Sequence, residues 1–334
     1  MESSAKVEQM EQRLNCQKVL PTRSVPSLLD DVKQGLLQEP RRLPAKYFYD
    51  EHGSQLFDKI CDTREYYPTR TEDTLLQNAA EDIIKRCQPA HLVELGSGTS
   101  RKTRRLFDAC EKQEHQVKYW PFDVCEEMVK EASANLVDEY RWLDVNGLVG
   151  DYNAGLEHLP DLAGRSLYVF LGGTIGNFAH DEGVAFLSEL RESMSEDDML
   201  LMGADRIKDE GILNAAYNDK EGITAAFNLN LLNVLNKEIE ADFDSEKFKH
   251  HAFFNQDESQ IEMHLIATEQ QTVKLQALEA EISFEEGDSI LTEISRKFTQ
   301  ASLSNMLKEA GFGLNKHFSP DNNYFSLVLA SPAA

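Results

Sequence analysis

No stretch of this chain approaches the roughly 18 consecutive apolar residues that a membrane-spanning helix needs, so a helical membrane protein is not expected. Nor does Met1–Val25, polar and mixed in charge, carry the apolar core of a secretory signal. Cysteine is sparse: Cys16, Cys61, Cys87, Cys110 and Cys125 are odd in number, widely spaced and never in a Cys-x-x-Cys pair. A reduced, cytoplasmic protein fits this better than a disulfide framework. His250, His251 and His264 have neither metal-site spacing nor a cysteine partner, so no metal is expected. Basic residues are also scarce, 34 against 58 acids, leaving a net charge of −24. Such a surface repels phosphate backbones and anionic lipid, so the expected partner is a small molecule rather than nucleic acid or membrane. Internal repeats and low-complexity segments are absent too.

What is present suffices for a large core. At about 150 residues per domain, 334 residues suggest two domains. The hydrophobic share of 41 % is ordinary for a globular chain. Short apolar runs at His91–Leu95, Val117–Phe122, Val145–Val149, Leu167–Leu171 and Met199–Met202 read as strands. Helical spacing separates them, as in Met128, Ala132 and Leu136, or Val184, Leu187, Leu190 and Met194. Strand and helix alternating in this way predict a doubly wound α/β sheet, parallel and covered on both faces.

After Asp205 the pattern changes. A helix is predicted over Gly222–Glu240, with Phe227, Leu231, Val234 and Leu235 on one face. Two antiparallel hairpins are then expected, Phe253–Asn255 with Ile261–Leu265, and Ile282–Phe284 with Ile290–Lys297. A helix at Ala301–Ala310 and strands at Leu314–Phe318 and Tyr324–Leu329 return the chain to the first pattern. The expected architecture is one α/β domain interrupted by an α+β insertion.

The sharpest local signal is Leu92-Val93-Glu94-Leu95-Gly96-Ser97-Gly98-Thr99, a strand running into a glycine turn. Glycine there lets backbone approach a ligand closely, beside helix amides. A dinucleotide fold wants a third glycine where Arg101 stands, and a phosphate loop wants glycine directly before Lys102-Thr103. S-adenosylmethionine, which has no phosphates, fits better. It needs Gly96 and Gly98 for close approach and an acid for the ribose hydroxyls, a place Asp123 takes 27 residues after Gly96. Asp151 and Tyr152, at the next strand end, suit the adenine. Each aspartate could equally be a helix cap. With the closing hairpin, the pattern looks like a class I methyltransferase, a Rossmann-like sheet.

Further segments carry a narrower resemblance. Tyr47-Phe48-Tyr49-Asp50, Glu65-Tyr66-Tyr67-Pro68-Thr69-Arg70-Thr71-Glu72, Glu94-Leu95-Gly96-Ser97-Gly98-Thr99-Ser100, Phe170-Leu171-Gly172-Gly173-Thr174-Ile175-Gly176-Asn177 and Leu291-Thr292-Glu293-Ile294-Ser295 resemble the histidine-specific Nα-methyltransferases of ergothioneine biosynthesis. The likeness runs in order from about residue 28 to 329. It implies three methyl transfers from S-adenosylmethionine to the α-amine of free L-histidine, giving hercynine. It further implies that Tyr49 and Tyr66 surround the amine as catalytic groups, with Phe57 in the apolar wall. Asn177 and Tyr217 would hold the carboxylate, Glu293 and Ser295 the imidazole, and Met263 the side-chain pocket. Gly96, Gly98, Lys102, Asp123, Asp151 and Tyr152 would hold the cofactor. One departure is Gly172-Gly173, where the family leads one to expect glycine followed by serine.

The resemblance divides the chain into substrate-binding parts, residues 20–70 and 207–297, interleaved with methyltransferase parts, residues 71–206 and 298–334. A monomer is expected. Strand alternation puts Glu293 and Ser295 on one face and Ile290, Thr292 and Ile294 on the other. A carboxylate beside a hydroxyl matches an imidazole, in which one nitrogen donates and the other accepts. An exposed sheet face would look the same, and Met263 shares a face with Ile261 and Leu265 as plain core would. Two alternatives stay open: methylation of another amino acid such as tryptophan or tyrosine, or a non-catalytic protein that binds S-adenosylmethionine.

Overall fold

The computed structural model describes residues 13–156, 159 and 162–333. Among these, eight strands form one large sheet: β1 (Leu14–Lys18), β2 (His91–Leu95), β3 (Lys118–Asp123), β4 (Asp144–Val149), β5 (Ser166–Phe170), β6 (Met199–Asp205), β12 (Phe312–Phe318) and β13 (Phe325–Pro332). Their order is β1-β4-β3-β2-β5-β6-β13-β12, parallel from β1 to β6, with β13 antiparallel to β6 and β12 antiparallel to β13. Every residue of β2 and of β5 is buried. Near-continuous apolar strands are what two covered faces require. Strand order reverses between β2 and β5, which opens a crevice at the carboxyl ends of the neighbouring strands. The doubly wound sheet predicted from the alternation is therefore present. Strand β1 was not anticipated: Leu-Asn-Cys-Gln-Lys is mostly polar, as an edge strand with one covered side can be.

The helices of more than one turn among the described residues are α1 (Leu28–Gly35), α2 (Glu51–Asp62), α3 (Tyr67–Cys87), α4 (Arg104–Lys112), α5 (Glu126–Glu139), α6 (His180–Glu192), α7 (Glu210–Ala216), α8 (Ile223–Ile239) and α9 (Gln300–Glu309). Helix α8 follows the sequence expectation within a residue at each end. The Asp219 carboxylate caps it, accepting from the Ile223 and Thr224 amides at 2.9 and 2.7 Å. It is buried on more than the one predicted face, because Asn228, Asn230 and Leu232 are covered as well.

The second hairpin is a correction. Strands β7 (Phe248–Asn255), β8 (Gln260–Ala267) and β11 (Ser289–Arg296) form one antiparallel sheet, ordered β11-β8-β7. Strand β10 (Ala280–Phe284) pairs instead with β9 (Gln271–Leu275), a strand the sequence reading missed. The turn at 285–288 thus links two sheets. Chain separation favoured the neighbour in sequence, whereas the apolar face of β11 is matched by β8.

The chain leaves β6 and returns to the neighbourhood of the large sheet at one point. Arg206 and Phe298 form a parallel bridge, and the Ile207 and Phe298 amides donate to Phe298 and Asp205 carbonyls at 3.1 and 2.9 Å. Buried side chains of one apolar cluster come from Val32 to Tyr67 and from Leu213 to Ile290. Two other clusters cover the faces of the large sheet and draw on Leu75 to Ala204, Phe298 to Phe312 and Phe325 to Ala330. Helix α3 spans the divide: Tyr67 packs in the first cluster, Leu75 onward in the second.

Candidate active site

The crevice end of the sheet gathers the glycine loop and the two aspartates. Gly96 and Gly98 have φ of 71° and 49°, a conformation that L side chains rarely adopt. The loop is pinned by its own amides: Gly96 N–H donates to the Phe122 carbonyl at 2.8 Å and Gly98 N–H to Asp123 Oδ2 at 2.9 Å. Asp123 Oδ1 accepts from the Cys125 amide at 3.0 Å, which leaves lone pairs on both oxygens. The Tyr152 ring lies over the loop, so a β-carbon added at Gly96 would stand 3.6 Å from it. Asp151 caps the turn that follows it, accepting from Asn153 N at 2.9 Å.

Glu94, just ahead of the loop, is buried and accepts from Thr103 Oγ1 at 2.6 Å and from the Tyr119 hydroxyl. Burial pushes its carboxyl up to about 7, against the pull of those hydrogen bonds. Lys102 stands in the crevice, but its ammonium is tied to the buried carboxylate of Glu72, which also accepts from Gly172 N at 2.9 Å. Gly172 and Gly173 both have positive φ, 84° and 69°, so a serine at Gly173 would be strained in this turn. Ser97 Oγ is buried and has no hydrogen-bond partner among the described residues. Open glycines and an aspartate with spare acceptor capacity beside the Tyr152 ring fit a purine nucleoside.

A box of aromatic rings adjoins the crevice. Tyr49 packs edge-on to Phe57 and Phe227 at 5.6 and 5.9 Å, Phe57 to Tyr66 at 6.2 Å, and Tyr66 to Tyr217 at 6.1 Å between centroids. Burial, reinforced by the Glu293 carboxylate, holds the Tyr49 phenol well above its ordinary pKa. Burial does the same for Tyr66, with Tyr217 as the next contribution. Both phenols therefore stay protonated at neutral pH and offer oxygen lone pairs, not a strong base.

Strand β11 supplies the polar wall. A β-bulge between Leu291 and Glu293 shifts its register on β8 by one residue. Glu293 pairs with Met263 and Ile290 with Leu265, so Ile290 shares a face with Glu293, contrary to simple alternation. Downstream alternation holds, and Glu293, Ser295 and Lys297 lie along one face. Burial pushes the Glu293 carboxyl up to about 7, with the Lys297 charge pulling it back. Thr292, the extra residue of the bulge, is fully buried on this same covered side and donates to Asn228 Oδ1 at 2.7 Å, so the expectation that it faces away is corrected. Met263 is buried in the apolar cluster beside this wall.

Asn177 ends a 3-10 turn, Thr174–Asn177, that is pressed onto β11. Gly176 makes this contact possible, since a β-carbon there would stand 2.7 Å from the Arg296 carbonyl oxygen. The Tyr217 hydroxyl donates to Ser295 Oγ at 2.9 Å and accepts from Lys297 Nζ at 3.0 Å. The structure thus brings Tyr49, Phe57, Tyr66, Tyr217, Glu293 and Ser295 into mutual contact or onto one strand face, and Gly96, Gly98, Asp123 and Tyr152 around one loop. Sequence reasoning missed Glu72, Asp205, Phe227 as a ring of the box, and Lys297. For Lys297 the signal was present, because it continues the alternation of Glu293 and Ser295.

His250 accepts from Asn228 Nδ2 and donates to the Tyr217 carbonyl, both at 2.9 Å, while His264 pairs with Glu262 at 3.1 Å.

Sheet order, a glycine loop at the strand reversal and an acid at the next strand end define a class I methyltransferase. The chain belongs to a family within that class, the histidine-specific, S-adenosylmethionine-dependent methyltransferases, whose model matches residues 28–332. It is 43 % identical over 304 residues to a histidine N-alpha-methyltransferase of Mycolicibacterium smegmatis, covering 91 % of this chain and 94 % of the relative. Its identity to the protein of the same name from Mycobacterium tuberculosis is 40 % over 305 residues, covering 91 % and 95 %. An L-tryptophan methyltransferase of Psilocybe serbica is 28 % identical over 339 residues, covering 91 % and 93 %.

Proposed function

We propose that this chain transfers three methyl groups from S-adenosylmethionine to the α-amine of free L-histidine, forming hercynine, the first step of ergothioneine biosynthesis. The observation that carries the reading is Glu293 and Ser295 on one face of β11, beside the box of Tyr49, Phe57, Tyr66 and Tyr217. A half-buried carboxylate next to a buried hydroxyl suits a ring with one N–H and one bare nitrogen. An indole has no second nitrogen to satisfy the hydroxyl, and a phenol has none at all. The names of the two mycobacterial relatives agree.

Bound, the cofactor supplies a sulfonium-activated methyl group. Gly96 and Gly98 give it backbone access, Asp123 takes the ribose hydroxyls, and Asp151 and Tyr152 meet the adenine. Lys102, held by Glu72, contributes charge at the crevice rather than a free ammonium. Asn177 and Tyr217 face the substrate carboxylate, and Met263 lines the pocket below the ring.

The chemical demand on the protein is small. The starting ammonium, and the ammonium left by each of the first two transfers, gives its proton to water before it is aligned for the next. The neutral amine then needs alignment and exclusion of water more than a strong base. Tyr49 and Tyr66, kept protonated by burial, orient the lone pair by accepting the remaining N–H bonds. Their rings then tolerate the quaternary product by cation–π attraction. A trimethylated nitrogen has no lone pair left, so the sequence of transfers stops by itself.

The substrate-binding part comprises residues 20–70 and 207–297, and the methyltransferase part residues 71–206 and 298–334. The membership of the apolar clusters and the bridge at Arg206 and Phe298 support this division. The protein acts as a cytoplasmic monomer on small molecules. Five free thiols support the compartment. Among the described residues no helix is long and apolar enough to cross a membrane.

The test is an incubation with S-adenosylmethionine and an equimolar mixture of free amino acids, read by mass spectrometry. Histidine should gain one, two and then three methyl groups. Methylation of tryptophan or tyrosine in preference to histidine, or of no amino acid, refutes the proposal.

A further inference from the structure

Lys297 is buried between the two halves of the site, its side chain 1 % exposed. An ammonium has three N–H bonds and no lone pair. Here all three are used: Asp205 Oδ2 accepts at 3.0 Å, Tyr217 Oη at 3.0 Å and Ser295 Oγ at 2.9 Å. Asp205 is itself anchored, accepting from Lys208 Nζ and from the Tyr67 hydroxyl, each at 2.6 Å. Lys297 is therefore held in place from the large sheet while it touches two side chains of the pocket.

This has a consequence for hydrogen-bond direction. Ser295 accepts from Lys297 and, in the free protein, from the Tyr217 hydroxyl at 2.9 Å. Both of its lone pairs are then occupied. Its own proton has no acceptor among the described residues. Tyr217 likewise accepts from Lys297, so its proton points away from that ammonium, onto Ser295 in the free protein and onto a carboxylate when one arrives.

We propose that Lys297 is a positioning residue that sets both hydroxyls, Ser295 and Tyr217, as hydrogen-bond donors toward the substrate. Building on the histidine reading, this makes the site specific for a ring with a bare nitrogen facing Ser295 and an N–H facing Glu293. A ring carrying C–H at the first position leaves the Ser295 proton buried and unpaired, and that loss is larger than the mere absence of an attraction. A neutral residue at 297 would let Ser295 rotate its proton onto Tyr217, and the pocket would stop distinguishing the two rings.

The experiment compares histidine with the two pyrrolylalanines, in each of which one ring nitrogen is replaced by C–H. Binding to the protein saturated with S-adenosylhomocysteine is measured by calorimetry, and methyl transfer by initial rates, for wild type and Lys297→Met. Wild type should prefer histidine to either analogue by about 100-fold or more in kcat/KM. In Lys297→Met the preference over the analogue that keeps the Glu293-facing N–H should fall at least tenfold. KM for histidine should rise about tenfold while kcat and S-adenosylhomocysteine affinity stay within about threefold, a split that general loosening of the fold would not give.

A preference that survives Lys297→Met undiminished overturns the inference and leaves the histidine reading standing. Wild type that binds histidine no better than the pyrrolylalanines overturns both. If Lys297→Met melts below the assay temperature, Ser295→Ala tests the same donor from its other end. That variant must lose the preference, and a retained preference refutes the assignment.

Discussion

Glu293→Gln separates binding from stability at one atom. The substitution keeps the shape of the side chain and removes its charge beside the ring N–H. A hydrogen bond to a charged group contributes about 1.5–3 kcal/mol, so losing it should raise KM for histidine by roughly one to two decades. The contact exists in ground and transition states alike, and kcat should change little. Stability should move the other way. Folding raises the Glu293 carboxyl from 4.5 to about 7, chiefly by burial. An acid raised by folding destabilises the folded state only where the unfolded chain would ionise it. The penalty is therefore nil below about pH 4, grows as pH rises and is complete above about pH 7. Its full size is on the order of 3 kcal/mol.

Glu293→Gln removes that penalty. Its melting temperature should match wild type near pH 4 and exceed it at pH 8, while histidine binding worsens. Isothermal calorimetry with histidine and thermal unfolding across pH 4–8 give both readings on one preparation. A Glu293→Gln protein that binds histidine like wild type, or that melts below wild type at pH 8, would refute the reasoning. The first result would remove Glu293 from the pocket, and the second would make it a structural residue.

Other perturbations probe the remaining parts. Asp123→Ala should weaken S-adenosylmethionine binding more than tenfold, while histidine affinity at saturating cofactor stays within about threefold; equal effects in calorimetry would argue against the ribose role. Gly176→Ala puts a β-carbon 2.7 Å from the Arg296 carbonyl oxygen. It should cost about 1–3 kcal/mol of stability, seen as a lower denaturant midpoint, and raise KM for histidine by displacing Asn177; an unchanged midpoint refutes the close contact. Glu72→Ala leaves the Lys102 ammonium and the Gly172 amide without their acceptor. About 3–5 kcal/mol of stability should be lost, visible as a lower melting temperature, and no change would deny that the pair is buried.

The sheet was legible because its evidence is local and redundant. Each buried parallel strand is a short apolar run, and a glycine turn marks the first of them. Strand β1 and the partner of β10 were not legible, for different reasons. An edge strand such as Leu14–Lys18 needs no apolar run, since β4 covers it on one side only. Pairing of β10 with β9 rather than β11 depends on which apolar face each strand meets, and alternation within a strand does not encode that choice.

The site divides along the same line. Glu293 and Ser295 were visible as a pair two residues apart, but which neighbours share their face was not. One extra residue at the bulge moves Ile290 onto the Glu293 side, and period-two counting cannot see an insertion that only the partner strand reveals. Lys297 shows the limit most clearly. Alternation placed it on the correct face, yet its importance comes from Asp205, which ends a different strand 92 positions earlier in the chain. A buried lysine would ordinarily lose its proton. Here Tyr217 and Asp205 outweigh the cost of burial and keep the ammonium charged. The chemistry of the pocket wall therefore rests on a group contributed by the large sheet. The bridge between Arg206 and Phe298, each next in the chain to one of these two residues, fixes Asp205 and Lys297 within reach of each other.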